Sequence, residues 1–134
     1  MLTDRPGVGP ISLALLSAET LFADCLARML GSAGFAVTSI HNEPHGFLSA
    51  LAVDRPQAAI IDLTQAQDEG TTIVEEAHQL HHDVRLLVLF SGLDSDLMDR
   101  CFRAGAAGYL DKTTARLDAL LDAGSFHETG KIAG

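Results

Sequence analysis

The chain has 134 residues, 47% of them hydrophobic and 20% charged, and this size and balance predict one domain with a core of its own. Its 18 acidic and 9 basic residues give a formal net charge of −9, which disfavours contact with nucleic acid or an anionic membrane through this domain. The two cysteines lie far apart in sequence, and no apolar run approaches the length of a membrane span. A cytoplasmic protein without a disulfide framework is expected.

Five short apolar runs alternate with helical patterns along the chain. The predicted strands cover residues 11–16, 35–40, 58–63, 84–90 and 107–110. The runs at 58–63 and 84–90 are almost wholly apolar, which is typical of central strands in a parallel sheet. The helical stripes between and after the strands contain Leu21, Phe22, Cys25, Leu26, Met29 and Leu30; Phe47, Leu48 and Leu51; Ile73, Val74, Ala77 and Leu80; Leu97, Met98, Cys101 and Phe102; and Leu117, Leu120 and Leu121.

This alternation also sets the expected domain limits. Five strand–helix units within about 110 residues predict a doubly wound α/β fold with a five-stranded parallel sheet between two helical layers. Residues 1–10 are polar and rich in Gly and Pro, so we expect a flexible N-terminus ahead of a domain at 11–123. From 124 to 134 the apolar periodicity ends, which indicates a tail or a linker toward a further domain.

Charged side chains at the predicted strand ends are the first candidates for a site, since ligands of such sheets bind beyond the carboxyl ends of the strands. Asp62 ends an apolar run, where a half-buried carboxylate without a partner is costly. Lys112 is the one cation at the predicted strand ends. We therefore predict an ion pair between Asp62 and Lys112.

Two segments resemble the receiver domain of two-component response regulators, in particular the NarL/FixJ type. Arg103-Ala104-Gly105-Ala106-Ala107-Gly108-Tyr109-Leu110-Asp111-Lys112 is similar to the RAGAAGYLLK stretch that leads to the lysine of that family. Ile60-Ile61-Asp62-Leu63, with Gly70 eight residues beyond Asp62, is similar to the phosphoacceptor strand and its loop. The resemblance spans residues 11–123 and implies a CheY-like fold with strand order 2-1-3-4-5.

The same resemblance implies roles for individual residues. Asp62 takes the phosphoacceptor position, and Lys112 takes that of the lysine that contacts the phosphoryl group. Tyr109 takes the position of the switch aromatic. Thr64 takes the position whose backbone carbonyl ligates Mg²⁺.

The two acids that hold Mg²⁺ in the family are replaced here by Ser17 and Ala18. Mg²⁺ requires oxygen ligands in octahedral geometry, and it offsets charge as a phosphoryl group moves onto a carboxylate. Glu19 could reach back toward the lost acids, but an acid in the first turn of a helix is favoured without any metal. We expect no resident cofactor, and at most weak Mg²⁺ binding at Asp62.

The switch Ser or Thr of the family also changes, because its position falls on Phe90. Ser91 would take that position only if the fourth strand slipped by one residue. Without a hydroxyl to pull inward, the ring of Phe90 is expected to fill apolar space beside Tyr109.

We therefore expect an atypical receiver domain, a regulatory module and not an enzyme, that acts through protein contacts or dimerisation with impaired or absent Mg²⁺-dependent phosphorylation. The implied partners are a second copy of the chain and the C-terminal helix-turn-helix output domain of a transcription regulator. The resemblance leaves a sensor histidine kinase open. Two alternatives remain: a working phosphoacceptor that uses Asp62, and a small-molecule sensor whose pocket is emptied by Ser17, Ala18 and Phe90.

Overall fold

The protein is described by a computed structural model that covers residues 10–63, 67–91 and 95–111. Strands and helices alternate along these ranges. They are β1 (Ser12–Leu16), α1 (Thr20–Ser32), β2 (Ala36–His41), α2 (Pro44–Asp54), β3 (Ala58–Asp62), α3 (Gln67–Leu80), β4 (Arg85–Phe90), α4 (Ser95–Ala104) and β5 (Gly108–Asp111). The predicted fifth helix, residues 1–9 of the N-terminus and the tail at 124–134 lie outside the described residues.

The five strands form one parallel sheet in the order β2-β1-β3-β4-β5. Every residue of β3 is buried, and so is every residue of β4 after Arg85, because both strands have neighbours on each side and helices over the sheet. The predicted fold class and strand order are therefore confirmed.

Apolar side chains pack against both faces of the sheet. On one face, α1 contributes Ala23, Leu26 and Leu30 to a cluster with alternate residues of the strands, such as Leu15 and Ile60. On the other face, α2, α3 and α4 cover the remaining strand residues; this cluster includes Phe47, Val74, Leu97, Leu16 and Ile61. The alternation of side chains along each strand thus divides the core into two layers.

The strand limits differ from the apolar runs by a residue or so. The run at 35–40 becomes a strand at Ala36–His41, because the backbone N–H of Phe35 donates to the carbonyl of Leu30 at 3.0 Å and closes the end of α1. Phe35 is nevertheless buried. Hydrophobicity marks which residues enter the core, whereas backbone pairing decides where a strand begins.

The predicted helical stripes are wrong at three positions. Leu21 is 79% exposed, Cys25 is exposed, and Leu80 at the end of α3 is 64% exposed. The buried face of α1 is centred on Ala23 and Leu26, and at about 100° of rotation per residue Leu21 and Cys25 point away from the sheet. Cys25 is therefore a surface thiol and not a core residue.

Two backbone features end helices α1 and α2. Gly34 follows α1 with φ 101, the left-handed conformation that glycine adopts without steric cost. Arg55 caps α2 with φ 47 and ψ 57, and its N–H donates to the carbonyl of Leu51 at 3.1 Å. Pro56 follows and prevents the helix from continuing. Among the described residues, no helix has the length and apolar content needed to cross a membrane.

Candidate regulatory site at the carboxyl ends of the strands

The strand order places a crevice at the carboxyl end of β1. The next strand along the chain, β2, lies on one side of β1, whereas β3 lies on the other side, so the order of the strands reverses at β1. In the ladders, Leu16 at the end of β1 is paired with His41 on one side and Ile61 on the other. The next residues along the two neighbouring strands are Ser17 and Asp62. Parallel pairing therefore brings these two side chains together.

Ser17 and Asp62 form a direct buried contact. The Ser17 hydroxyl donates a hydrogen bond to Oδ2 of Asp62 at 2.7 Å. In turn, the backbone N–H of Glu19 donates to Oγ of Ser17 at 3.1 Å, and the carbonyl of Glu19 lies 3.4 Å from the same oxygen, a longer contact than the one to Asp62. Ser17 is 1% exposed and Asp62 6% exposed, so water supplies little of the solvation of this carboxylate.

The described donors at this position do not fit Mg²⁺. The ion needs six oxygen ligands in octahedral geometry, commonly one or two carboxylates together with waters. Ser17 already uses its proton on Asp62, and the exposed side chain of Ala18 offers a methyl group only. Within the described ranges, no three His, Cys, Asp or Glu side chains are arranged to hold a metal ion.

Two residues named from the sequence lie outside the described residues, namely Lys112 and Thr64. The predicted ion pair between Asp62 and Lys112 therefore stays a prediction. So does the role of the Thr64 carbonyl.

The aromatic side chains near β5 form a packed row. Phe90 is 3% exposed, and its ring centroid lies 6.2 Å from that of Tyr109 in an edge-to-face arrangement. The ring of Phe102 from α4 also contacts Tyr109, at a centroid distance of 5.3 Å and again edge to face. Tyr109 is half-buried and contacts both rings. The centroid distances and the edge-to-face geometry of the two contacts are those that aromatic pairs prefer.

The register of β4 places Phe90, and not Ser91, at the end of the strand. Asp62 is paired with Leu89, and Phe90 is paired with Asp111 of β5, without a shift in either ladder. Ser91 follows the strand and is exposed. A side-chain hydroxyl is therefore absent from the last position of β4.

An open pocket of about 360 Å³ lies beside Ser17, and its lining from the end of β2 was not expected from the sequence. It is lined by residues of α1 and of the end of β2: Ser17, Thr20, Ala23, Asp24, Ile40, His41, Asn42 and Glu43. Of the three residues predicted to empty a pocket, only Ser17 lines this one, since Phe90 packs into the core. The polar run His41, Asn42, Glu43 after β2 was the signal that could have indicated it.

Known proteins resemble the chain over most of its length, although no protein-family model matches it. The acid tolerance regulatory protein ActR of Rhizobium meliloti (strain 1021) is 29% identical over 118 residues, which are 87% of this chain and 60% of that protein. The chain thus spans about three fifths of the length of this curated relative.

Solved structures agree with the fold. A response regulator of Burkholderia pseudomallei, solved with a phosphorylated aspartic acid, calcium and citrate, has a TM-score of 0.72 and 25% identity, over 86% of this chain and 69% of that one. The receiver domain of NarL from Mycobacterium tuberculosis has a TM-score of 0.74 and 19% identity, over 87% and 97% of the two chains. The chain therefore has the fold of response-regulator receiver domains and is similar to them over most of its length.

Proposed function

We propose that this chain is an atypical receiver domain that regulates through protein contacts, with Mg²⁺-dependent phosphorylation at Asp62 impaired or absent. The observation that carries the proposal is the buried hydrogen bond of 2.7 Å from Ser17 to Asp62. A hydroxyl and a methyl group occupy the two positions after β1 where the family resemblance implies metal-binding acids. Asp62 accepts a hydrogen bond from a neutral hydroxyl at a position where the family resemblance implies a second carboxylate, and this smaller negative charge lowers the drive to recruit a dication.

The aromatic row supports a second part of the proposal, which concerns the switch. A phosphoryl group can shift an equilibrium only if it interacts differently with two conformations. With Phe90 at the end of β4, no hydroxyl there can move toward Asp62, and Tyr109 is held between Phe90 and Phe102. The state of Tyr109 is then set by packing and not by phosphorylation.

The partners are part of the proposal as well. We assign the domain to a cytoplasmic transcription regulator, as a homodimer with a C-terminal helix-turn-helix output domain, and regard it as regulatory and not catalytic. The likeness to NarL and to a longer regulatory relative supports this assignment. The net charge of −9 supports an output domain for DNA contact other than this one.

Incubation with acetyl phosphate and Mg²⁺, followed by intact-mass spectrometry, tests the phosphorylation part. We expect no phosphoryl adduct on the natural chain. The double variant Ser17→Asp with Ala18→Asp restores two carboxylates beside Asp62, and we expect it to gain one adduct. The triple variant that adds Asp62→Asn is the matched control and should lose it again.

Phosphorylation of the natural chain at Asp62, abolished by Asp62→Asn alone, would contradict the proposal and support a working phosphoacceptor instead. A phosphorylated aspartic acid in the similar Burkholderia protein is the observation that favours this alternative.

A further inference from the structure

A second pocket lies at the amino ends of the strands, whereas Asp62 lies at their carboxyl ends. It has a volume of about 590 Å³ and is bounded by the ends of α2 and α3 and by the starts of β3 and β4. Its lining residues are Leu51, Arg55, Pro56, Gln57, Leu80, His81, His82, Asp83, Val84 and Arg85. No residue of this pocket belongs to the site at the carboxyl ends of the strands.

Cationic side chains converge on this pocket, although the chain as a whole is acidic. The described part of the chain carries five arginines and no lysine, and two of those arginines, Arg55 and Arg85, line the pocket. His81 and His82 add two imidazole rings, while Asp83 is the one carboxylate in the lining. With neutral histidines the lining carries a net charge of +1, against −9 for the whole chain.

Neither of these two guanidinium groups forms a hydrogen bond or ion pair with another described residue. Arg103, by contrast, forms an ion pair of 2.8 Å with Asp99. No such contact joins Arg55 or Arg85 even to Asp83 in the same pocket. With respect to the described residues, the five N–H donors of each guanidinium are open to a ligand.

The fold itself gives no reason for an arginine at position 55. Its backbone is left-handed, with φ 47, a conformation in which glycine or asparagine is the favourable residue. The cap of α2 uses only its N–H. The exposed side chain of Arg55 neither packs in the core nor pairs with a charge among the described residues.

Leu80 at the end of α3 lines the pocket and is 64% exposed, so it offers an apolar surface beside the cationic residues. Cationic side chains next to an exposed leucine fit a molecule with an anionic head and an apolar body. Two guanidinium forks suit the three terminal oxygens of a phosphate group. We propose that this pocket binds a small organic phosphate of the monoester class, independently of Asp62.

Calorimetric titration of the whole chain with phenyl phosphate tests the assignment. Phenyl phosphate carries the anionic head and an apolar ring, inorganic phosphate lacks the ring, and phthalate replaces the phosphate by two carboxylates. We expect saturable binding of phenyl phosphate, tighter than that of either other probe. Arg55→Gln and Arg85→Gln should each weaken it by about tenfold or more, as the loss of one charge-assisted contact predicts.

Two variants serve as matched controls. Arg28→Gln removes an exposed arginine of α1, away from the pocket, and Asp62→Asn alters the other site; both should leave phenyl phosphate binding unchanged. Circular dichroism of each variant checks the fold. Absence of saturable binding, equal weakening by Arg28→Gln, or loss of binding in Asp62→Asn would overturn the proposal. Tighter binding of phthalate would overturn the choice of phosphate.

Discussion

The hydroxyl of Ser17 donates a 2.7 Å hydrogen bond to Oδ2 of Asp62 across the ends of two paired strands. The contact depends on the sheet, since Leu16 and Ile61 are paired directly before it. A serine satisfies a carboxylate oxygen without placing a second negative charge beside it, which two further acids would do. At this point the site has more in common with a buried structural hydrogen bond than with a metal-binding cluster.

Replacement of Ser17 by alanine should therefore destabilise the domain. The change removes a buried hydrogen bond to a carboxylate, and such a loss costs about 1–3 kcal/mol. Equilibrium unfolding in urea measures it. Ser91→Ala is the matched control, because Ser91 is exposed and a surface change of this kind stays within about 0.5 kcal/mol. Equal stabilities of the two variants would argue against a structural role for the hydroxyl.

Mg²⁺ should bind this chain far more weakly than it binds a receiver with two acids after β1. At the two positions after β1, Ser17 offers a hydroxyl that is already bonded to Asp62 and Ala18 offers no ligand atom, so of the described side chains there only Glu19 could add a carboxylate. A Mg²⁺ titration followed by NMR chemical shifts of residues 16–19 and 61–63 measures the affinity. Saturation at low-millimolar Mg²⁺ or below would contradict the prediction. The Ser17→Asp, Ala18→Asp variant should bind more tightly and supplies the reference.

Much of the fold could be predicted from the sequence, because buried parallel strands are nearly continuous apolar runs and Asp62 stands out at the end of one. The contact with Ser17 could not be, since it requires that β1 and β3 be neighbours, which only the family resemblance implied. Exposure of Cys25 was missed for a different reason. Apolar residues occupy so much of the circumference of α1 that periodicity alone leaves the buried face undefined.

Two glycines should respond in opposite ways to the same substitution. Gly105 follows α4 with φ 123, and a β-carbon there would collide with the ring of His78. Gly31 lies in the last turn of α1 with open space around it. Gly105→Ala should destabilise the domain by about 1–3 kcal/mol, whereas Gly31→Ala should stabilise it by about 0.5–1 kcal/mol. Urea unfolding of both variants tests this, and a loss of stability in Gly31→Ala would refute the second half.

The two cysteines should differ sharply in reactivity. Cys25 is exposed on α1, whereas Cys101 is fully buried on the inner face of α4. Burial raises the pKa of the Cys101 thiol above its ordinary value of 9.0, against smaller opposing effects of Thr71 and Arg100. A thiol reagent at neutral pH should label Cys25 quickly and Cys101 only when the protein unfolds. In Cys25→Ser the fast phase should vanish; its persistence would show that Cys101 is accessible.

The raised pKa of Cys101 also gives a pH dependence of known sign. A group that holds its proton more tightly in the folded state adds stability that is present below a pH of about 9 and is lost as the pH rises through the folded-state pKa. The free energy of unfolding should therefore decline in alkaline solution more steeply for the natural chain than for Cys101→Ala. Parallel slopes for the two proteins would contradict the assignment to this thiol.

Tyr109 should keep one orientation whether or not a phosphate mimic is present. Its ring lies between those of Phe90 and Phe102, at centroid distances of 6.2 and 5.3 Å. In the switch that the resemblance implies, a hydroxyl at the end of β4 moves and the aromatic ring follows. Phe90 has no hydroxyl and is packed in the core, so we expect a phosphate mimic to find no second state to stabilise.

Fluorine NMR tests this directly, because Tyr109 is the single tyrosine and 3-fluorotyrosine gives one signal. Addition of beryllofluoride and Mg²⁺ should leave that signal and the sedimentation coefficient unchanged. The triple variant Ser17→Asp, Ala18→Asp, Phe90→Thr returns both the metal-binding acids and the hydroxyl, and its signal should move on addition of the mimic. A saturable shift in the natural chain, together with a change in association state, would show that packing does not hold Tyr109 and that phosphorylation still controls the domain.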